Sequence, residues 1–188
     1  KESSSRTSVD LFVLDFAVVL VFVFVLAVVL SLCWKTRRRS RLVFVLALDA
    51  FAFFVAVVDD LSEGKLVNLP KALRGKLIKK KIQDIKNFKC GGLKGIIHLA
   101  AQSSVPISVK NFYTSSKNNL ESSLRVFEIA HQYSVPVIYA SSSAIYGNLP
   151  IGNDLKNNFS ISSPYAQDKL SLENYAKMFF NVYNISSI

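Results

Sequence analysis

Tyr165 and Lys169 stand four residues apart in the run Tyr-Ala-Gln-Asp-Lys. On a helix, positions i and i+4 share a face, so a phenol and an ammonium at this spacing can point into one cleft. A free tyrosine, with a pKa of about 10, is a poor base at neutral pH. A neighbouring cation stabilises its phenolate, and the pair can then take a proton from an alcohol hydroxyl. Upstream, the run Ser141-Ser142-Ser143-Ala144-Ile145-Tyr146-Gly147 follows an apolar stretch that reads as a strand. In an open α/β sheet, ligands gather at the carboxyl ends of the strands. A hydroxyl there can hydrogen-bond a reacting oxygen and relay its proton.

These side chains need elements to hold them. Residues 164–182 read as a helix whose start is marked by Ser163 as cap and Pro164 at the first helical position. Residues 117–133 carry Leu120, Leu124, Phe127 and Ala130 at helical spacing. Residues 55–58, 95–100 and 135–140 are short apolar runs that read as strands, and 185–188 reads as the opening of another. Strands alternating with helices predict a parallel α/β sheet.

The chain of 188 residues is long enough for one domain with a real core. Its composition breaks sharply. The first 63 residues contain no glycine and no proline, and the remainder holds all 7 glycines and all 5 prolines. Residues 11–34 are apolar except for Asp15 and Ser31, and a basic cluster follows at 35–41. That length fits one bilayer crossing of about 20 residues, and the basic flank favours the cytoplasmic side. The same monotonous Val, Phe and Leu usage also fits a buried strand pair or a mistranslated gene start. A second apolar run, 42–58, is broken by Asp49, and its end reads as a strand. The net charge of +10 is otherwise scattered, and no nucleic-acid motif accompanies it. Cys33 and Cys90 form no disulfide framework or metal-ligand spacing. His98 and His131 read as packing or surface residues.

Several ordered motifs together resemble the extended short-chain dehydrogenase/reductase family, and within it the NAD-dependent nucleotide-sugar epimerases. They are VVDDLSEG at 57–64, IIHLAAQSSVPIS at 96–108, NNLESSLRVFEIA at 118–130, YASSSAIYG at 139–147 and SPYAQDK at 163–169. The resemblance implies a partial Rossmann-type, doubly wound parallel α/β sheet over 55–188, preceded by a strongly apolar segment over 1–54. It implies that Asp59 binds the adenosine ribose of NAD, that Asp84 and Ile85 sit beside adenine, and that Leu99, Ala100, Ala101 and Asn119 line the cofactor. Ser142 matches the catalytic hydroxyl, with Ser143 beside it at the substrate. Tyr165 matches the base, and Lys169 its partner at the nicotinamide ribose. Dehydratases and decarboxylases of the family usually carry acidic residues where this chain has Ser143 and Ala144, so the resemblance favours a 4-epimerase acting on a UDP-sugar, in a homodimer.

Two departures set further expectations. The glycine-rich turn of the family should lie between the first strand and first helix, and the corresponding residues 33–44 contain no glycine. The smaller sugar-binding domain would follow residue 188. The chain therefore reads as a fragment that binds NAD weakly and lacks measurable epimerase activity. Alternatives are a dehydratase or decarboxylase of the same family, or a non-catalytic, membrane-anchored remnant. The expected location is the cytoplasm, or its membrane face if residues 11–34 are an anchor.

Overall fold

A computed structural model describes residues 43–49, 52–148 and 159–188. These belong to one compact unit, Arg39–Ile188. The other unit, Lys1–Arg38, lies outside the described residues, and with it the candidate anchor at 11–34. Among the described residues no helix is long and apolar enough to cross a membrane.

Five strands form one sheet: β1 (Val43–Asp49), β2 (Ala52–Val58), β3 (Leu77–Ile78), β4 (Leu93–His98) and β5 (Val137–Tyr139), in the order β3-β2-β1-β4-β5. The α/β class read from the sequence holds, and β2 with β3, and β4 with β5, pair in parallel. The central strand β1 departs from that pattern, running antiparallel to both β2 and β4. The run read at 42–58 thus contains two paired strands, Val43–Asp49 and Ala52–Val58, rather than a strand at its end alone. Connection length explains the direction. β1 ends at Asp49 and β2 begins at Ala52. Parallel neighbours need a crossover of about a dozen residues or more, whereas antiparallel ones need only about two.

Among the described residues four helices accompany the sheet: the single turn α1 (Lys71–Arg74), the short α2 (Val105–Lys110), and the long α3 (Phe112–Tyr133) and α4 (Pro164–Tyr183). α3 begins five residues before the 117 read from its apolar spacing, because its first buried positions are polar. They are Ser115, Asn119, Ser122 and Ser123, followed by Val126, Phe127, Ile129 and Ala130. The apolar half meets the core. Phe127 stacks on Phe179 of α4 at 4.9 Å and meets Tyr139 of β5 edge-on at 6.5 Å. Both long helices end on a left-handed residue, Ser134 and Asn184, whose N–H groups bond back to the last turn. The chain then returns to β5. Ile188 N–H donates to Val137 O at 3.0 Å, and Tyr139 N–H to Ile188 O at 2.8 Å. The sequence reading of 185–188 as the start of another strand matches this pairing.

β2 and β4 are covered on both faces at their ends. Val57, Val58, Ile96, Ile97 and His98 are all essentially inaccessible.

Candidate functional site

β2, β4 and β5 end at one edge of the sheet, at Val58, His98 and Tyr139, where β1 begins with Val43. Asp59 follows β2, is buried, and accepts a hydrogen bond from Leu61 N–H at 2.6 Å. A cavity over this edge is lined by Asp59, Lys81, Ala100, Ala101, Gln102 and Asn119, among others. Four of the residues assigned from the sequence to the cofactor therefore converge here. Leu99, Asp84 and Ile85 do not line it. Asp84 is exposed, and Ile85 is turned to another task, its carbonyl accepting from the Arg125 guanidinium at 3.1 Å.

Asn119 is wholly engaged by the protein. Its Oδ1 accepts from Gln102 N–H at 2.7 Å, and its Nδ2 donates to Gln102 O at 3.2 Å and to Asp168 Oδ2 at 2.9 Å. It joins three pieces of chain: α3, the loop after β4, and α4. Ser115 Oγ adds a bond to Gln102 Oε1 at 2.9 Å. Sequence reasoning missed Gln102 and Asp168. The available signal was their position inside the motifs at 96–108 and 163–169.

Ser163 caps α4 as read, its Oγ accepting from Ala166 N–H at 3.2 Å. The helix thereby presents Tyr165 and Lys169 on its buried face, 8 % and 5 % exposed. The Lys169 Nζ lies 6.0 Å from the centre of the Tyr165 ring and donates to Ala140 O at 2.6 Å. Burial pushes the Lys169 ammonium down to about 8, and the negative charge of Asp168 acts against that fall. Ser108 Oγ accepts from Tyr165 N–H at 3.2 Å, docking α2 on the start of α4.

Ser142 stands two residues beyond the carbonyl that holds Lys169. It caps a 3-10 turn, Ser143–Tyr146, with its Oγ accepting from Ala144 N–H at 3.2 Å, which leaves its own proton to donate. A second cavity is lined by Ser141, Ser142, Ser143, Tyr146, Glu173 and Lys177. Tyr165 and Lys169 do not line it. The structure thus joins Tyr165 to Lys169 directly, and Ser142 to Lys169 through the backbone. The loop is fixed at Gly147, with φ of 55°, where an added Cβ would come 1.8 Å from Ser160 O.

His98, at the end of β4, is buried and held neutral. Burial, and next the Lys169 charge, push it down to about 3. Ser123 Oγ gives its proton to Asn119 O at 2.8 Å, so the imidazole Nε2 must be the donor to Ser123 Oγ at 3.1 Å. Nδ1 then carries the lone pair, and it has no partner. His98 is a packing residue, as read. Among the described residues no cluster could hold a metal ion.

Residues 47–188 match the NAD dependent epimerase/dehydratase family. The chain is 32 % identical over 142 residues to a UDP-glucose 4-epimerase of Caenorhabditis elegans, covering 69 % of this chain and 40 % of that protein. A solved UDP-N-acetylglucosamine 4-epimerase of Methanobrevibacter ruminantium, in complex with UDP-N-acetylmuramic acid, superposes with a TM-score of 0.58 at 33 % identity, over 69 % of this chain and 44 % of that one. The UDP-glucose 4-epimerase of Thermus thermophilus in complex with NAD gives a TM-score of 0.60 at 28 % identity, over 69 % and 44 %. The chain spans less than half the length of the curated relatives it matches. The motifs, the edge on which they converge and the match over 47–188 make this chain a member of the NAD-dependent epimerase/dehydratase family.

Proposed function

We propose that this chain carries the proton-transfer part of a UDP-sugar 4-epimerase. The observation that carries the reading is the buried Lys169 ammonium beside the Tyr165 ring, anchored on the strand that leads to Ser142. Tyr165 takes the proton from the sugar 4-hydroxyl, and Lys169 stabilises the phenolate that does so. The Ser142 hydroxyl donates to the reacting oxygen. The 4-keto sugar then turns to offer its other face for hydride return, and Tyr165 gives the proton back to the 4-oxygen. NAD, when bound, supplies the hydride chemistry and is regenerated in each cycle. No acidic side chain lies in the turn Ser143–Tyr146, which favours epimerisation over elimination.

Two ends of the site suit NAD. Asp59 would take the adenosine ribose, Ala100 and Ala101 would line the cofactor, and Lys169 with Tyr165 would take the nicotinamide ribose. The middle does not suit it. In a dinucleotide fold, a glycine turn at the end of the central strand lets the backbone approach the diphosphate. Here the central strand starts at that edge instead of ending there. We therefore expect NAD binding in the millimolar range or weaker, and no turnover of UDP-glucose or UDP-galactose by the purified chain. Calorimetry and a coupled epimerase assay test both, and micromolar NAD affinity would overturn this. The Tyr–Lys reading has its own test: with residues 137–188 grafted into the matching part of a full-length UDP-glucose 4-epimerase, Tyr165→Phe or Lys169→Met should lower turnover at least about 100-fold. Turnover kept by either variant removes the base.

A second reading, a non-catalytic remnant that binds a partner or a membrane, rests on the reversed strand alone. Measurable epimerase activity would dispose of it.

A further inference from the structure

We propose that Asp168 is a positioning residue for the proton-transfer pair: its buried carboxylate ties α4 to α3 and supplies the negative charge that keeps Lys169 an ammonium. This rests on the reading of Tyr165 and Lys169 given above.

A buried ammonium is costly unless it is compensated. Lys169 is 5 % exposed and has a neutral acceptor in Ala140 O, at 2.6 Å. Three N–H groups need acceptors, and a carbonyl answers for one. The groups around it come from each packed element. β4 offers His98, which is neutral. α3 offers the neutral Ser116 and Asn119, which face Asp168. α4 itself offers Tyr165, one turn back, and Asp168. Glu173, one turn on, is held by Ser141 Oγ and acts on Tyr139. The carboxylate that bears on Lys169 is therefore Asp168.

Consecutive helix positions point about 100° apart, so Asp168 and Lys169 do not face each other. Asp168 turns toward α3, where Asn119 Nδ2 donates to it at 2.9 Å and the Ser116 side chain helps to lower its carboxyl. Lys169 turns toward β5. The charge acts through a water-poor interior, where it is weakly screened. Asp168 feels the counterpart. Burial raises its carboxyl, while Ser116, Asn119 and then Lys169 lower it. One carboxylate thus performs two tasks. Its hydrogen bonds set the rotation of α4 against the Asn119–Gln102 junction that lines the cofactor cavity. Its field sustains the cation that Tyr165 needs.

The test reads protonation rather than turnover, so it requires neither NAD nor a sugar nucleotide. The side-chain NMR signals of labelled lysines are titrated, with Lys169 identified by its loss in Lys169→Arg. In the unaltered chain its midpoint falls near pH 8. In Asp168→Asn, which keeps shape and an acceptor for Asn119, the midpoint drops by about one unit or more. In the control Glu121→Gln, whose carboxylate is exposed beside Lys117, it does not move. An Asp168→Asn midpoint equal to that of the unaltered chain overturns the proposal. If Asp168→Asn does not fold, the reciprocal measurement decides: coupling between two titrating groups is mutual, so the Asp168 carboxyl signal must titrate at higher pH in Lys169→Met. No change there also overturns it. Absence of epimerase activity would leave the titration intact, so the two readings fail separately.

Discussion

From β4 onward, strand and helix alternate, and the chain returns each time to pair in parallel. Between Val43 and Val58 it does the opposite: two strands separated by residues 50 and 51 run in opposite directions. Both regions contribute to one sheet and one edge. The first sets the proposed acid–base residues on a capped helix and a glycine-locked loop. The second brings Asp59 to the edge at the end of β2, but its central strand β1 starts there, so that strand has no end from which a diphosphate-binding turn could arise. A sheet can thus keep its strand order while losing a binding device, because hydrogen bonding across a sheet tolerates either strand direction and the device does not.

The strongest break of this contrast comes from the helical region. Phe127→Ala removes the ring shared by α3, α4 and β5, and should cost about 3–5 kcal/mol in urea unfolding. A loss below about 1 kcal/mol would mean that this region does not hold the core. Acid comes next. His98 is pushed down to about 3 in the fold, against 6.5 when free. The unfolded chain binds the proton first, so stability present above about pH 6.5 is lost as pH falls toward 3, on the order of 5 kcal/mol in all. His98→Asn should flatten that slope, measured as urea midpoints across pH.

The comparison itself is sharpened by replacing residues 1–51 with a strand, a glycine turn and a helix that lead into β2 in parallel. NAD affinity by calorimetry should then rise at least about 100-fold, or about 2.7 kcal/mol. No gain would show that strand direction is not what limits binding. Gly147→Ala meets Ser160 O and a φ of 55°. It should cost about 1–3 kcal/mol through the loop that presents Ser142. The smallest effect belongs to the exposed Lys117–Glu121 pair at 3.9 Å. Lys117→Ala should change stability by no more than about 0.5 kcal/mol.

Much of the candidate acid–base site was legible in the residues. Spacing alone set Tyr165 and Lys169 on one face, and Ser163-Pro164 marked the start of their helix, because these are local rules. Apolar periodicity found α3 but not its first turns, where the buried face is Ser115 and Asn119 rather than leucine. Asp84, Ile85 and Leu99, expected at the cofactor from motif position, do not line the cavity beside Asp59. A motif gives order along the chain and not the direction of each side chain.

The sequence by itself determined the family motifs, the spacing of Tyr165 and Lys169 and the absence of glycine ahead of Asp59. Tertiary structure decided what those residues meet. It turned Asn119 into a junction between α3, α4 and the β4 loop, set Asp168 and Lys169 on diverging faces of one helix, and ran β1 against its neighbours. Each of those outcomes depends on which segments pack together, and packing partners distant in sequence leave no mark in local spacing.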